Sequence, residues 1–586
     1  SASFTPKRSK VQILVCPLFL RIMNFSDIQI YSSIKIILML FAILAAYLII
    51  KKKNPLYLLL LFGLTSAGTY ALWSNNLQLP LWGLQGDELT IAAIFNTFTK
   101  IGLNSDFGYH GLPPFYPPGG FWLFSIWGRL FNWNGIIMMK VAAATFFLLF
   151  PVTVFLLQRY LFKNILPNHR FNVLLAALSP LLIMTVLDKD LMIGKPYEIV
   201  AAVATILWTI SLYHRINNQR WTIWQPLIFG LAAGLIFMTY YLWLAFAAIA
   251  LVIMGLTEKN SHRLRYFWRL IQTAIISFIA TLPFTGPLIS SYLRNGLESW
   301  QTAFFTPTGL NLWLPMFQLT SWTNLILLFG LGALIYYHRD PIAKQLLYLF
   351  ITAFIWWSGG LLTLLIWHKP FQEFRGFYIW APTILAMGAA YGLSRIWQHY
   401  NLDRKTQTAT TLALLGLGLL IAQSFFGFFI DNPTIENQRI KSKQMNPSIV
   451  QLGQYLNSHP LPQDSLTLET IPQLLAMVPI NNLIYFNQHN NHPAAIFSKR
   501  YNYVQNLATA KSPAELIQKV NNCPFGPLER FIFYGDQENY YLYFHVDKFI
   551  SGLEEKTIKF NRQLFVPPYF QISYNKFGYY VIDVQK

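Results

Sequence analysis

The sequence predicts a polytopic α-helical membrane protein that ends in a separate α+β domain. Three observations lead there. Hydrophobic residues fill 54% of the 586 positions and charged residues only 12%, about half the charged share of a soluble chain. Apolar stretches long enough to cross a bilayer recur up to residue 430. At Asp431-Asn432-Pro433 that pattern stops and mixed polar sequence follows.

The elements follow in chain order. Residues 1–30 read as an N-terminal extension of open origin: the chain begins Ser-Ala-Ser, and Met23 precedes a clear start to the first span. The apolar run around residues 11–20 is short and lacks a small-residue cleavage site, which argues against a signal peptide. About twelve spans are expected, at 34–50, 55–73, 135–157, 172–187, 197–213, 224–239, 241–256, 270–290, 323–337, 345–367, 376–397 and 409–430. They make residues 31–430 a transmembrane domain. The aromatic run from Phe121 to Phe131 suits a half-buried or interfacial helix. In residues 431–586, the stretches beginning at Phe531, Tyr540 and Phe570 read as strands, and 447–457 and 512–521 as helices.

Basic residues give the orientation. Lys51 to Lys53, Arg159 with Lys163 and Arg170, Arg215 with Arg220, Lys259 to Arg269, Arg339 with Lys344, and Arg395 to Lys405 all fall in alternate loops. The positive-inside rule makes those loops cytoplasmic. The other loops and the C-terminal domain then lie on the extracytoplasmic side of a bacterial plasma membrane. The net charge of +20 is spread between apolar spans and forms no nucleic-acid patch. Cys16 and Cys523 supply neither a disulfide framework nor metal-ligand spacing.

The unusual residues gather in the extracytoplasmic loops. Asp87 and Glu88 precede an apolar-periodic helix, and Tyr109-His110-Gly111-Leu112-Pro113-Pro114-Phe115-Tyr116-Pro117-Pro118-Gly119 follows. Proline at this density excludes a helix and gives a stiff loop on the membrane surface. Two readings of Asp87 are open: a helix N-cap, or a general base that takes the proton of an attacking hydroxyl. The loop is either a rigid connector or a preorganised aromatic wall for a sugar. Lys195-Pro196-Tyr197-Glu198 opens span five, either as a snorkelling lysine before a helix-starting proline or as a phosphate contact. His368, Lys369 and Arg375 lie between spans ten and eleven, where a guanidinium can hold a phosphodiester through two hydrogen bonds. The spans carry few polar residues and show no repeated halves, which weighs against a transporter. A flippase of lipid-linked sugars, or a ligase or polymerase of lipid-linked oligosaccharides, remains the alternative.

Together, Gly86-Asp87, the Leu-Pro-Pro-Phe-Tyr-Pro-Pro-Gly loop running into Phe121-Trp122, and Lys195-Pro196-Tyr197-Glu198 resemble the galactan 5-O-arabinofuranosyltransferases. In the tail, His492-Pro493-Ala494-Ala495 with Arg500, Asn522 to Pro527, and Phe544-His545-Val546-Asp547 resemble the same family's C-terminal region. The resemblance covers nearly all of the chain after residue 30. It implies a GT-C membrane glycosyltransferase that takes a sugar from a polyprenyl phosphate, with an acidic residue in its first large external loop. Asp87 matches that residue by position. The chain departs from the family in being rich in Lys, Asn, Ile and Phe, which bears on the donor sugar and the acceptor.

The expected protein is therefore a polyprenyl-phosphate-dependent, inverting transferase moving a pentofuranose onto a cell-wall or surface glycan. Asp87 is its expected base. Lys195 and Arg375, with His368 and Lys369, are expected at the phosphate; Glu88, Tyr109, His110, Phe115, Tyr116, Tyr197 and Glu198 complete the expected substrate contacts. No cofactor or metal site is read from the sequence, and a divalent ion (Mg²⁺, Mn²⁺ or Ca²⁺) between Asp87 and the phosphate is left open.

Overall fold

The computed structural model describes residues 26–51, 54–166, 168–218, 221–298, 321–368, 372–399, 407–548 and 552–585. Each of the twelve apolar stretches is helical. The first two helices are α1 (Asp27–Ile50) and α2 (Pro55–Trp73). Two shorter helices follow, α3 (Asp87–Lys100) and α4 (Gly119–Phe131), which contains the expected aromatic run. Next come α5 (Gly135–Phe162), α6 (His169–Val186), the single turn and a half of α7 (Lys189–Gly194), α8 (Pro196–Asn218), α9 (Trp224–Tyr240) and α10 (Leu242–Leu256). The bundle closes with α11 (Asn260–Asn295), α12 (Trp322–Tyr336), α13 (Pro341–Trp367), a π-helical turn (Gly376–Trp380) running into α14 (Ala381–His399), and α15 (Gln407–Ile430).

Among the described residues, seven helices are long and apolar enough to cross a membrane by themselves, with an eighth if α15 and the bent helix after it count as one. α9, α10 and α12 are apolar but shorter. α1 starts at Asp27, where Ser26 and Gln29 cap each other's backbone. The first helix therefore reaches back into the stretch read as an extension, whose residues 1–25 lie outside the described part. Small residues allow the closest helix crossings: a Cβ on Gly330 of α12 would meet the Leu385 carbonyl oxygen of α14 at 2.0 Å. Phe62, Phe147, Phe425 and Phe429 interlock α2, α5 and α15 through ring contacts of 5.2–6.2 Å.

The C-terminal part begins with α16 (Pro433–Ser442) and α17 (Pro447–Ser458), and its helices continue with α18 (Pro472–Leu475), α19 (Phe497–Ala508) and α20 (Pro513–Asn521). Its sheet has the order β4-β3-β2-β6-β5, with β1 (Leu466–Leu468) parallel to β2 (Leu528–Gly535). The expected strands are β2, β3 (Asn539–Lys548) and β5 (Phe570–Lys576). β4 (Gly552–Asn561) and β6 (Tyr579–Val584) pair antiparallel beside them. Ser512 caps α20 by accepting the Glu515 N–H at 3.2 Å.

This domain does not hang free. The Asn96 side chain of α3 donates to the Leu475 and Val478 carbonyls at 2.9 and 3.0 Å, and Gly135 N–H donates to Ala476 O. Arg439 of α16 is fully buried, donates to Trp73 O at 3.0 Å and pairs with Asp27 at 3.0 Å. α3, the proline-rich loop and the C-terminal domain thus share one apolar core at one end of the bundle.

Candidate active site

Elements far apart in the chain meet around a cavity of about 530 Å³ at that end, α13 among them through Trp356. The start of α3 supplies Asp87 and Thr90, and the proline-rich loop supplies Phe115 and Tyr116. The start of α8 supplies Lys195, Tyr197 and Glu198. Tyr240 and Tyr241 mark the break between α9 and α10, and the segment before the π turn supplies Gln372 and Arg375.

Asp87 is not a cap. The N-cap position of α3 is Gly86, at φ +53°, and no side chain caps the helix. Glycine tolerates that left-handed backbone, and it turns the next residue toward the cavity. The Asp87 carboxylate, 53% exposed on the cavity wall, meets the buried Lys195 Nζ at 2.5 Å. Although open to the cavity, it is surrounded by enough protein that burial works against its charge. Lys195, through its charge and its hydrogen bond, and Arg375 outweigh that and hold the carboxyl below its ordinary range.

Glu198 joins the two cations. It is buried, with carboxylate oxygens 3.9 Å from Lys195 and 3.6 Å from Arg375, and its backbone carbonyl accepts from the Trp243 indole at 2.9 Å. Arg375 is braced further by Gln372, whose amide oxygen accepts from Nε at 2.6 Å. Asp87, Lys195, Glu198 and Arg375 thus form an alternating chain of charge along one wall. Phe115 and Tyr116 pack edge to face at 5.8 Å, and Tyr197 and Tyr240 at 5.9 Å, giving the cavity rigid aromatic surfaces.

Other expected site residues lie elsewhere. Glu88 faces away from the cavity, buried, and accepts the Trp82 N–H at 2.7 Å; burial pushes its carboxyl up to about 8. Tyr109 is buried beneath Arg500, whose guanidinium stacks over its ring at 5.1 Å. His110 donates its backbone N–H to Asn482 O at 3.2 Å. His368 is the exposed left-handed cap of α13, and Lys369 lies outside the described residues, as do 299–320 of the long loop after α11.

Sequence reading missed Tyr240, Tyr241 and Gln372, and it also missed His489 of the C-terminal domain, which lies near enough to interact with the Asp87 charge. The tyrosine pair at the junction of two apolar runs was a usable signal; His489 had none.

A second, more open groove of about 630 Å³ lies by Trp82, Asp188, Asp190 and Asp431. Its one lysine, Lys189, is buried and donates to the Thr185 and Leu187 carbonyls at 2.6 and 3.0 Å. Three carboxylates make that groove hostile to an anion, whereas Lys195 and Arg375 give the first cavity two cations on one wall. Among the described residues no three His, Cys, Asp or Glu side chains gather as metal ligands, and Lys195 already occupies the Asp87 carboxylate.

The chain has the GT-C fold of membrane glycosyltransferases. It is similar to the crystal structure of ArnT from Cupriavidus metallidurans bound to undecaprenyl phosphate, with a TM-score of 0.50 and 12% identity over 89% of this chain and 97% of that one. More narrowly, the chain belongs to the arabinofuranosyltransferase family: residues 25–421 match the family model described as arabinofuranosyltransferase N terminal. It is also 22% identical to the galactan 5-O-arabinofuranosyltransferase of Mycolicibacterium smegmatis over 561 residues, 89% of this chain and 85% of the relative.

Proposed function

We propose that this membrane arabinofuranosyltransferase takes its pentofuranose from a polyprenyl-phosphate donor. It passes the sugar, with inversion, to a hydroxyl of a cell-wall or surface glycan on the extracytoplasmic face. The observation that carries the reading is one cavity wall on which two carboxylates and two cations alternate, facing aromatic rings. The undecaprenyl phosphate in the ArnT structure and the galactan named for the mycolicibacterial relative support the choice of donor and acceptor.

In this mechanism the acceptor oxygen attacks the anomeric carbon, the bond from that carbon to the phosphate oxygen breaks, and Asp87 takes the hydroxyl proton. One base and a direct displacement require no covalent intermediate, hence inversion. Lys195 and Arg375 receive the charge that develops on the leaving phosphate. A phosphate entering the cavity draws Lys195 away from Asp87. The carboxylate, still penalised by burial, then becomes a stronger base at the moment it is needed. Glu198 keeps the two cations at their spacing. Glu88 fixes the turn before Asp87 through Trp82.

Asp87→Asn tests the reading. Because Asp87 is not the cap of α3, the variant should fold normally. Turnover should fall by roughly two to four orders of magnitude, the usual share of a positioned base. Donor binding should be kept or tightened, since Lys195 loses a competing carboxylate. Transfer from a synthetic polyprenyl-phosphate arabinofuranose, measured with donor binding and melting temperature, decides it. A normal rate removes Asp87 from the chemistry.

A further inference from the structure

The C-terminal domain touches the loop that walls the cavity through His492. His492 is buried, and its Nδ1 accepts the Ala494 N–H at 3.0 Å. That fixes the tautomer: Nε2 carries the hydrogen and donates it to the Pro113 carbonyl at 3.1 Å. The imidazole also packs against the Phe115 ring at 5.8 Å and the Tyr292 ring of α11 at 6.1 Å. Three bodies therefore meet on one side chain: the sheet domain, the end of α11, and the loop that forms the aromatic wall.

The surroundings act in the same sense. Arg500 donates to the Ala495 and Leu483 carbonyls and stacks on Tyr109, and Tyr485 packs on Phe107 at 5.1 Å. The Asn490 side chain donates to Thr90, a cavity residue, at 3.0 Å. Proline stiffens Leu112 to Pro118 internally, but it leaves the loop's placement over the cavity undetermined. The loop's four prolines have no N–H to give, so few backbone anchors remain: the Phe115 N–H reaches the buried Asp106 carboxylate, Leu112 O accepts the Asp106 N–H at 2.9 Å, and Pro113 O is held by His492.

We infer that His492 is a positioning residue for the donor: by holding the Pro113 carbonyl it sets where Phe115 and Tyr116 stand, and so makes the C-terminal domain a working part of the donor cavity. The inference rests on the proposed reading of that cavity as the donor site. Burial pushes the imidazole down to about 4, so it stays a neutral donor throughout the physiological range.

Two substitutions separate positioning from mere stability. His492→Gln keeps a side-chain N–H able to reach the Pro113 carbonyl, while His492→Met fills similar volume without a donor. His492→Met should raise the KM for polyprenyl-phosphate arabinofuranose about tenfold with kcat within about threefold of wild type. His492→Gln should restore KM. Arg530→Lys, which disturbs the Arg530–Asp583 pair at 2.6 Å inside the sheet, should lower melting temperature and leave donor KM unchanged. Equal KM across all variants, or the same KM rise in Arg530→Lys as in His492→Met, overturns the inference. Should His492→Met not fold, hydrogen exchange on the wild type decides. Undecaprenyl phosphate should slow exchange in both 106–116 and 488–496, and protection of the loop alone overturns the inference. A wild type that never uses the donor instead defeats the reading of the cavity itself.

Discussion

Arg375 shows how much a single side chain is asked to do. Its Nε is committed to Gln372 and one terminal nitrogen lies 3.6 Å from Glu198, so the planar fork arrives at the cavity already oriented. An ammonium has no such plane. Arg375→Lys should therefore weaken donor-dependent efficiency by about a hundredfold, the scale of roughly 2–3 kcal/mol for a lost charged contact. Unchanged kinetics in a folded variant would leave Lys195 as the phosphate contact. Glu88 makes a different kind of test. Its folded-state value near 8 lies above the ordinary 4.5, so the folded state holds the proton more tightly than the unfolded one. The stability this supplies is complete below about 4.5 and is lost as pH rises through about 8. Glu88→Gln keeps an acceptor for Trp82 N–H and does not titrate. Its melting temperature should fall less than wild type's between those two values, and parallel curves would show that Glu88 ionises freely. Neighbouring positions on a helix point about 100° apart, which is why Asp87 and Glu88, adjacent in sequence, serve opposite sides.

At the level of elements, the sequence was most readable where one physical term dominates. Bilayer thickness fixes the length of apolar runs, and all twelve stretches are helices, with the start of α1 misplaced only because its capping Ser26 lies before the apolar run. The strands rich in aromatic residues were equally plain. β4 was not, since its alternation is spread over Lys, Glu and Thr and depends on pairing with β3. Asp87, Lys195 and Arg375 were legible as charges at loop ends, Phe115 and Tyr116 as a stiff aromatic wall, and Tyr197 and Glu198 as part of the Lys195 motif, and the fold brings all seven to one cavity. Tyr109 and His110 belong to the same loop, yet they face the C-terminal domain. Their partners Arg500 and Asn482 lie almost four hundred positions away, and no local pattern encodes that contact.

For the whole molecule, the strongest sequence argument was the alternation of basic loops, and the fold agrees with it in one respect. The loops between α2 and α5, between α6 and α8, and before the π turn meet at a single end, where the C-terminal domain also packs. If that end is extracytoplasmic, alkaline phosphatase fused after residue 586 should be active in a bacterial host. Activity of a cytoplasmic reporter at the same position would reverse the orientation and place the cavity on the wrong side for a surface glycan.

The Arg439 contact has a bearing on how the chain comes into being. Asp27, at the start of α1, finds its partner 412 residues later. During synthesis the ribosome must finish the rest of the bundle before Arg439 and Lys443 exist to hold it. Until then α1 rests against α2, Phe41 on Phe62, with Ile36, Met39, Leu40, Ile43 and Leu44 exposed on its other side. The polar clasp at the start of α1 is thus among the last contacts of the bundle to form, although the helix that carries it is made early.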